Sequence, residues 1–260
     1  MKQKKLQIMG ILNVTPDSFS DGGSFNTLEK ALKRAKELKK QGADILDIGG
    51  ESTGPGSKHV SLEEELKRVI PIIKELRKIT KLPISIDTYK SEVATQALDA
   101  GANMVNDVTA LRGDQKMASV IAEYKCPVIL MYSKDPTPRT TVKKVKYKNI
   151  IKTIKDFLKK QISYAKKHGI SNSQIIIDPG MGQFISALPE YSYEIIARLH
   201  ELKTLGYPIL IGPSRKSFLG GTMDSRAEKG TVVSAIAYSA GASIIRTHDI
   251  KQIKWLKSLS

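Results

Sequence analysis

Cysteine is nearly missing from this chain of 260 residues, and Cys126 is the only one. No intrachain disulfide can form, and a thiol at the head of the apolar run PVILM (127–131) suits a buried structural role in a reducing cytoplasm. Histidine is scarce as well. Four His residues without HxH or HxxxH spacing give no protein-only transition-metal site. Aromatics reach only 6% and do not alternate with basic residues, which argues against a nucleic-acid partner. No apolar run approaches the ~18 residues of a membrane span. The opening MKQKK has the charge of a signal peptide, but LQIMGIL runs directly into NVTPDSFSDGG without a small-residue cleavage site. It is expected to be the first strand. Acidic residues are outnumbered, with 42 Lys and Arg against 26 Asp and Glu and a net charge of +16. The stretch 143–168 explains part of this excess as a solvated helix face. Ile150, Ile151, Ile154, Phe157, Leu158, Gln161 and Ile162 form one helical stripe there, and lysines occupy the rest. Low-complexity tracts, linkers and longer internal repeats are also absent.

What is present is a β–α period. Eight short apolar segments each end in a small or polar residue and lead into a helical stretch: 6–13, 44–51, 82–87, 103–107, 127–131, 174–180, 208–214 and 243–249. That count in about 260 residues predicts the α/β class, a (β/α)8 TIM barrel folded as a single domain over 1–260. Barrel active sites are built at the C-terminal strand ends. One mouth should therefore collect Asn13, Asp47, Glu51, Asp87, Asn106, Asp107, Asp178, Ser214, Arg215, Lys216, Arg246 and His248.

The segment ends suggest chemistry. After Asn13 comes VTPDSFSDGG, longer than the roughly 2–6 residues a β–α connection needs, with the composition of a lid that closes on a ligand. The second end, DIGGESTGPG (47–56), offers backbone N–H groups and the hydroxyls of Ser52 and Thr53 to phosphate oxygens. Singly, Asp87 and Asn106 would serve equally well as helix caps. Together with Asp178 they suit a heterocycle with an aminopyrimidine-type edge. Arg215, Lys216, Arg246 and His248 close the last two strands, where barrels frequently bind phosphate. A Mg²⁺ shared by Asn13 and a diphosphate fits the few protein ligands that this ion takes. The residues alone thus reach a heterocycle plus phosphate.

The motifs GILNVTPDSFSDGG, ADILDIGGEST, SIDT, NDV, DPGMG, GPSRKSFLG and RTHD occur in this order, one at each predicted strand end apart from the fifth. Over essentially the whole chain they resemble the dihydropteroate synthase family. The resemblance implies a barrel, usually a homodimer, that condenses 6-hydroxymethyl-7,8-dihydropterin diphosphate with 4-aminobenzoate and uses Mg²⁺. It places the pterin on Asp87, Asn106, Asp178 and Lys216, with Met131 against its face, and the diphosphate on Asn13, Thr53, Arg246 and His248. Asp17, Phe19 and Asp21 would close over the reacting centre, with Asp87 and Lys216 beside them as catalytic residues. Aminobenzoate would lie by Pro55 and Phe184, with its carboxylate at Ser217, and the metal at Asn13.

Three stretches depart from the family pattern. Gly54 stands where the family's second loop reads S-T-R-P-G, so an Arg is missing. Met131-Tyr132-Ser133 replaces Met-His, and Gly182-Gln183-Phe184 replaces G-F-G-K, closer to the sulfonamide-insensitive branch. All three fall on the aminobenzoate side, so drug response and aminobenzoate handling are the properties they bear on. Two other readings compete. A pterin-dependent methyltransferase of the same superfamily would need neither Ser214-Arg215-Lys216 nor Arg246-x-His248. A non-catalytic basic barrel that binds nucleic acid would show affinity falling steeply with salt.

Overall fold

Strand and helix alternate through the chain, and the computed structural model describes residues 5–14 and 24–259. The strands are β1 (Gln7–Asn13), β2 (Ile45–Gly49), β3 (Ile84–Asp87), β4 (Met104–Asp107), β5 (Val128–Met131), β6 (Ile175–Asp178), β7 (Leu210–Ile211) and β8 (Ile244–Thr247). All pair in parallel, in the order β6-β5-β4-β3-β2-β1-β8-β7. A parallel bridge between Ile177 and Ile209 joins the two ends, with Ile177 N donating to Pro208 O at 3.0 Å. The expected (β/α)8 barrel is therefore the fold, and each expected segment contains its strand.

Between the strands run α1 (Ser24–Gln41), α2 (Leu62–Ile79), α3 (Ser91–Asp99), α4 (Met117–Tyr124), α5 (Ile150–Lys167), α6 (Glu190–Ala197), α7 (Met223–Ser239) and α8 (Ile250–Ile253). Local chemistry sets their limits. Ser61 caps α2 by accepting from Glu64 N, ahead of Glu63, Glu64 and Glu65 in the first turn, where acidic groups favour the helix dipole. Asn149 caps α5 in the same way. The stripe expected on α5 is buried at Ile150, Ile151, Ile154, Leu158, Gln161 and Ile162, with Phe157 half-buried and edge-on to Tyr132. Cys126 is buried, as its setting required, and burial pushes its thiol up to about 11.

Two apolar layers hold the barrel. Met9, Ile45, Met104, Ile129, Leu210 and Ile244 fill its interior. A larger set packs helices on the outer face, including Leu46, Ile48, Ile86, Val105, Leu130 and Ile177. Alternation along each strand directs one residue in and the next out. Register then brings the strand ends level, with Asp87 beside Asn106, Gly49 beside both Asp87 and Asn13, and Met131 beside Asp178.

Candidate active site

A buried and a half-buried carboxylate share one guanidinium at the centre of the mouth. Arg246 Nε donates to Asp47 Oδ2 at 2.6 Å, and its Nη2 donates to Asp87 Oδ2 at 2.6 Å. Asn106 Nδ2 reaches the same Asp47 oxygen at 3.4 Å, so β2, β3, β4 and β8 meet at one point. Asp47 is fully buried, and its Oδ1 has no hydrogen-bond partner among the described residues. Burial pushes the Asp87 carboxyl up to about 7, against the pull of Arg246 and with the neighbouring Asp47 charge adding to it. The two carboxylates hold Arg246 above its ordinary value in spite of burial.

Across the mouth, Asp178 accepts from Gly180 N at 2.7 Å through Oδ1, which leaves Oδ2 without a hydrogen bond among the described residues. Burial raises this carboxyl to about 6, while Lys216 pulls it down. Lys216 shows the converse. Burial lowers its ammonium to about 8 against the attraction of Asp178. Its Nζ donates to Met181 O at 3.3 Å and lies 4.9 Å from the centre of the Phe184 ring, so that ring is a half-buried wall of the mouth. Ser217 is exposed beside it, and its Oγ accepts from Gln183 Nε2 at 3.3 Å.

His248 and Asn13 open into a cleft of about 710 Å³ that Arg34 and Arg215 also line. His248 belongs to the phosphate-binding set expected at the last two strand ends. Burial, with Arg246 and Arg215 nearby, pushes it down to about 4, so it serves as a neutral imidazole. Its Nδ1 is 3.0 Å from Ser214 Oγ. With the Ser214 hydroxyl donating there, the ring proton sits on Nε2. Arg215 is less available than its position implied, because Nε and Nη2 are both spent on Asp249, at 3.0 and 2.5 Å.

The structure corrects two members of the expected mouth. Asp107 is wholly buried and caps its own turn, with Oδ1 accepting from Thr109 N and Oγ1 and Oδ2 accepting from Leu111 N. Those bonds support the left-handed backbone of Ala110 and Leu111, so Asp107 is structural. Glu51 buries its side chain among cations, 2.5 Å from Lys90 Nζ. Thr53 is half-buried and Pro55 exposed in the loop that follows. Met131 is buried beside Asp178. Asp17, Phe19 and Asp21 lie outside the described residues. Asp47 was expected at the mouth but without a chemical role, although a carboxylate inside the apolar strand ILDIG was the available signal. Lys90 and Arg139 carried no local signal at all.

Residues 9–248 match the pterin binding enzyme family. A dihydropteroate synthase of Synechocystis is 45% identical over 253 residues, covering 95% of this chain and 86% of that protein. A crystal structure of dihydropteroate synthase from Clostridium difficile, obtained in the presence of pteroic acid, superposes with a TM-score of 0.92 at 45% identity, covering 100% of this chain and 97% of the other. The Xanthomonas albilineans dihydropteroate synthase with 4-aminobenzoic acid gives a TM-score of 0.91 at 38% identity, covering 98% of this chain and 92% of the other. This chain belongs to the pterin-binding enzymes and, within them, to the dihydropteroate synthases. The methyltransferase and nucleic-acid readings give way to a transferase of folate biosynthesis.

Proposed function

We propose that the mouth joins 6-hydroxymethyl-7,8-dihydropterin diphosphate to 4-aminobenzoate, giving 7,8-dihydropteroate and diphosphate. The observation that carries this reading is the meeting of Asp87, Asn106 and Asp178 with Lys216 and Arg246 at level strand ends. The carboxylates accept from the ring N–H and amino groups of the pterin, Asn106 supplies an amide, and Met131 packs on the ring face. Thr53, Arg246 and His248 take the diphosphate. Arg246 does so with Nη1, the guanidinium nitrogen without a hydrogen bond among the described residues.

The bond from the pterin methylene carbon to the diphosphate oxygen breaks first, and its electron pair leaves with the oxygen. Lys216, Arg246 and the neutral Nε2–H of His248 stabilise the charge that develops there. The amine nitrogen of aminobenzoate then bonds to the carbon and loses a proton. The arylamine stacks by Pro55 and Phe184. Its carboxylate accepts from Ser217, whose oxygen already accepts from Gln183 and so leaves the hydroxyl proton to donate.

The donor set fits Mg²⁺. Asn13 is an exposed amide at the end of β1, and among the described residues no cluster of His, Cys, Asp or Glu could hold a metal on its own. An ion held there would be shared with substrate phosphate oxygens, as Mg²⁺ commonly is. Bound at Asn13, it would supply Lewis-acid neutralisation of the leaving group.

The same reading includes a homodimer in the cytoplasm. Among the described residues no helix is long and apolar enough to cross a membrane. Val232 and Ile236 stand exposed one turn apart on α7, an apolar strip suited to a second copy. The reaction is tested by supplying both substrates to the purified chain and measuring diphosphate release. Release that requires aminobenzoate and Mg²⁺ supports the reading, whereas folded protein without such release refutes it.

A further inference from the structure

The loop after β2 carries Thr53 and Pro55, and its own sequence, STGPGS, closes only a local turn, with Ser57 N and Oγ donating to Gly54 O at 3.2 and 2.7 Å. Gly54 contributes no side chain where the family resemblance led to an expected Arg. What fixes the loop lies beneath and beside it. Glu51, whose side chain is 2% exposed, stands 2.5 Å from Lys90 Nζ, and Lys90 is also 2.5 Å from Glu65 of α2. Lys90 donates to Val60 O at 2.8 Å, and Val60 N reaches Glu51 Oε1 at 3.4 Å, so both ends of the loop are tied to this cluster. Two buried carboxylates on one ammonium leave a net negative charge, which is costly in an interior.

The balancing cation arrives from another strand. Arg139, in the loop after β5, pairs with Glu51 and donates from Nη2 to Lys58 O at 3.3 Å. Its neighbour Thr140 donates its backbone N–H to Thr53 O at 3.1 Å. The β5 loop is itself stiff at this point, because Lys134 contacts Asp135, Thr140 and the carbonyls of Thr141 and Gln183. Gln183 leads directly into Phe184. One guanidinium thus welds the β2 loop, with Thr53 and Pro55, to the framework that carries Phe184.

We infer that Arg139 is a positioning residue for the aminobenzoate side of the site, supplying across two loops the cation that the β2 loop lacks at Gly54. The inference rests on the proposed aminobenzoate location. It predicts that aminobenzoate meets a preformed wall, whereas the pterin ring, held on strand ends, is independent of Arg139.

The test is Arg139→Ala in the full chain, with hydrogen–deuterium exchange read alongside kinetics. Glu51 keeps Lys90 in this variant, so the barrel should fold. Residues 51–60 should lose protection while the strands keep theirs. The KM for aminobenzoate should rise about tenfold, the scale of one charge-assisted contact, with kcat and the affinity for a pterin analogue that lacks the diphosphate within about twofold. Arg139→Lys should recover part of the loss, since it restores the charge without the guanidinium contact to Lys58 O. Unchanged protection of 51–60 would overturn the inference. So would a fall in kcat at unchanged KM, which would put the guanidinium in the chemistry. The exchange measurement reads the weld without turnover, so its failure is distinct from failure of the proposed reaction.

Discussion

Replacing Asp178 by Asn removes one charge from the mouth while leaving the turn that carries it. The Asn carbonyl can still accept from Gly180 N, the bond that Oδ1 makes at 2.7 Å. The other side-chain atom changes from an acceptor to an N–H donor, opposed to a ring that itself donates. A buried mismatch of this kind costs ~1–3 kcal/mol, or about 5- to 150-fold in the pterin dissociation constant. The pH dependence gives a second signature. Burial raises the Asp178 carboxyl to about 6, and the ionised form is the one that accepts from the ring. A proton bound more tightly than usual must be lost before pterin binds, so the contribution of Asp178 to affinity is full well above pH 6 and declines as pH falls through it. At pH 5 about nine-tenths of the site would be protonated. The gap between the two proteins should therefore be wide at pH 8 and narrow at pH 5, with the Asn variant keeping only the limb near 7 that Asp87 gives to both proteins. Lys216 should also titrate below about 8 in the variant, because Asp178 is the carboxylate that holds it up. Calorimetric titration with a pterin analogue at both pH values measures this. Equal affinities at pH 8, or two parallel pH curves, would refute the reasoning.

Lys216→Ala should lower kcat by about 10²–10³, and the wild-type rate should fall as pH rises through 8 along a limb that the variant lacks. A variant keeping more than a third of the rate would exclude the role given to Lys216. Phe184 lines the mouth beneath Lys216 and is not a core ring, so Phe184→Gly should cost little thermal stability. It should increase inhibition by sulfamethoxazole, because the large ring obstructs the drug's extra substituent and spares the slim substrate. Strong inhibition of the unmodified enzyme would contradict this. Gly180 has φ +71°, and an added Cβ would collide with the Tyr132 carbonyl. Gly180→Ala should cost at least ~1 kcal/mol and lower Tm by about 2–4 °C for each kcal/mol, together with pterin affinity. An unchanged melt would show that the turn can relax.

The barrel was legible because each strand segment is short, apolar and closed by a polar residue, a local pattern. Asp87, Asn106 and Asp178 were legible for the same reason, since strand register alone brings such ends level. Direction beyond the strand end was not. Asp107 and Glu51 follow the same rule in sequence, yet one folds back on Thr109 and Leu111 and the other turns toward Lys90. Partnerships across the chain were equally hidden. Arg246 and Asp47 lie 199 residues apart, and nothing local marks Asp47 as the fixed point for the guanidinium. The neutral state of His248 depends on Arg246 and Arg215 together, a charge environment that exists only after folding. The family resemblance assigns roles that spacing could not, including those of Pro55 and Ser217.

The central claim is that one mouth holds the heterocycle on Asp87, Asn106, Asp178 and Lys216 and the anion on Asn13, Thr53, Arg246 and His248. A crystal structure of this chain with a dihydropterin diphosphate analogue and Mg²⁺ tests it most directly. Ring N–H groups are expected within hydrogen-bond distance of Asp87 and Asp178, Lys216 Nζ at the junction of ring and leaving group, and phosphate oxygens on Arg246 and His248. A ring bound away from Asp178, or a diphosphate seated without Arg246, would contradict it.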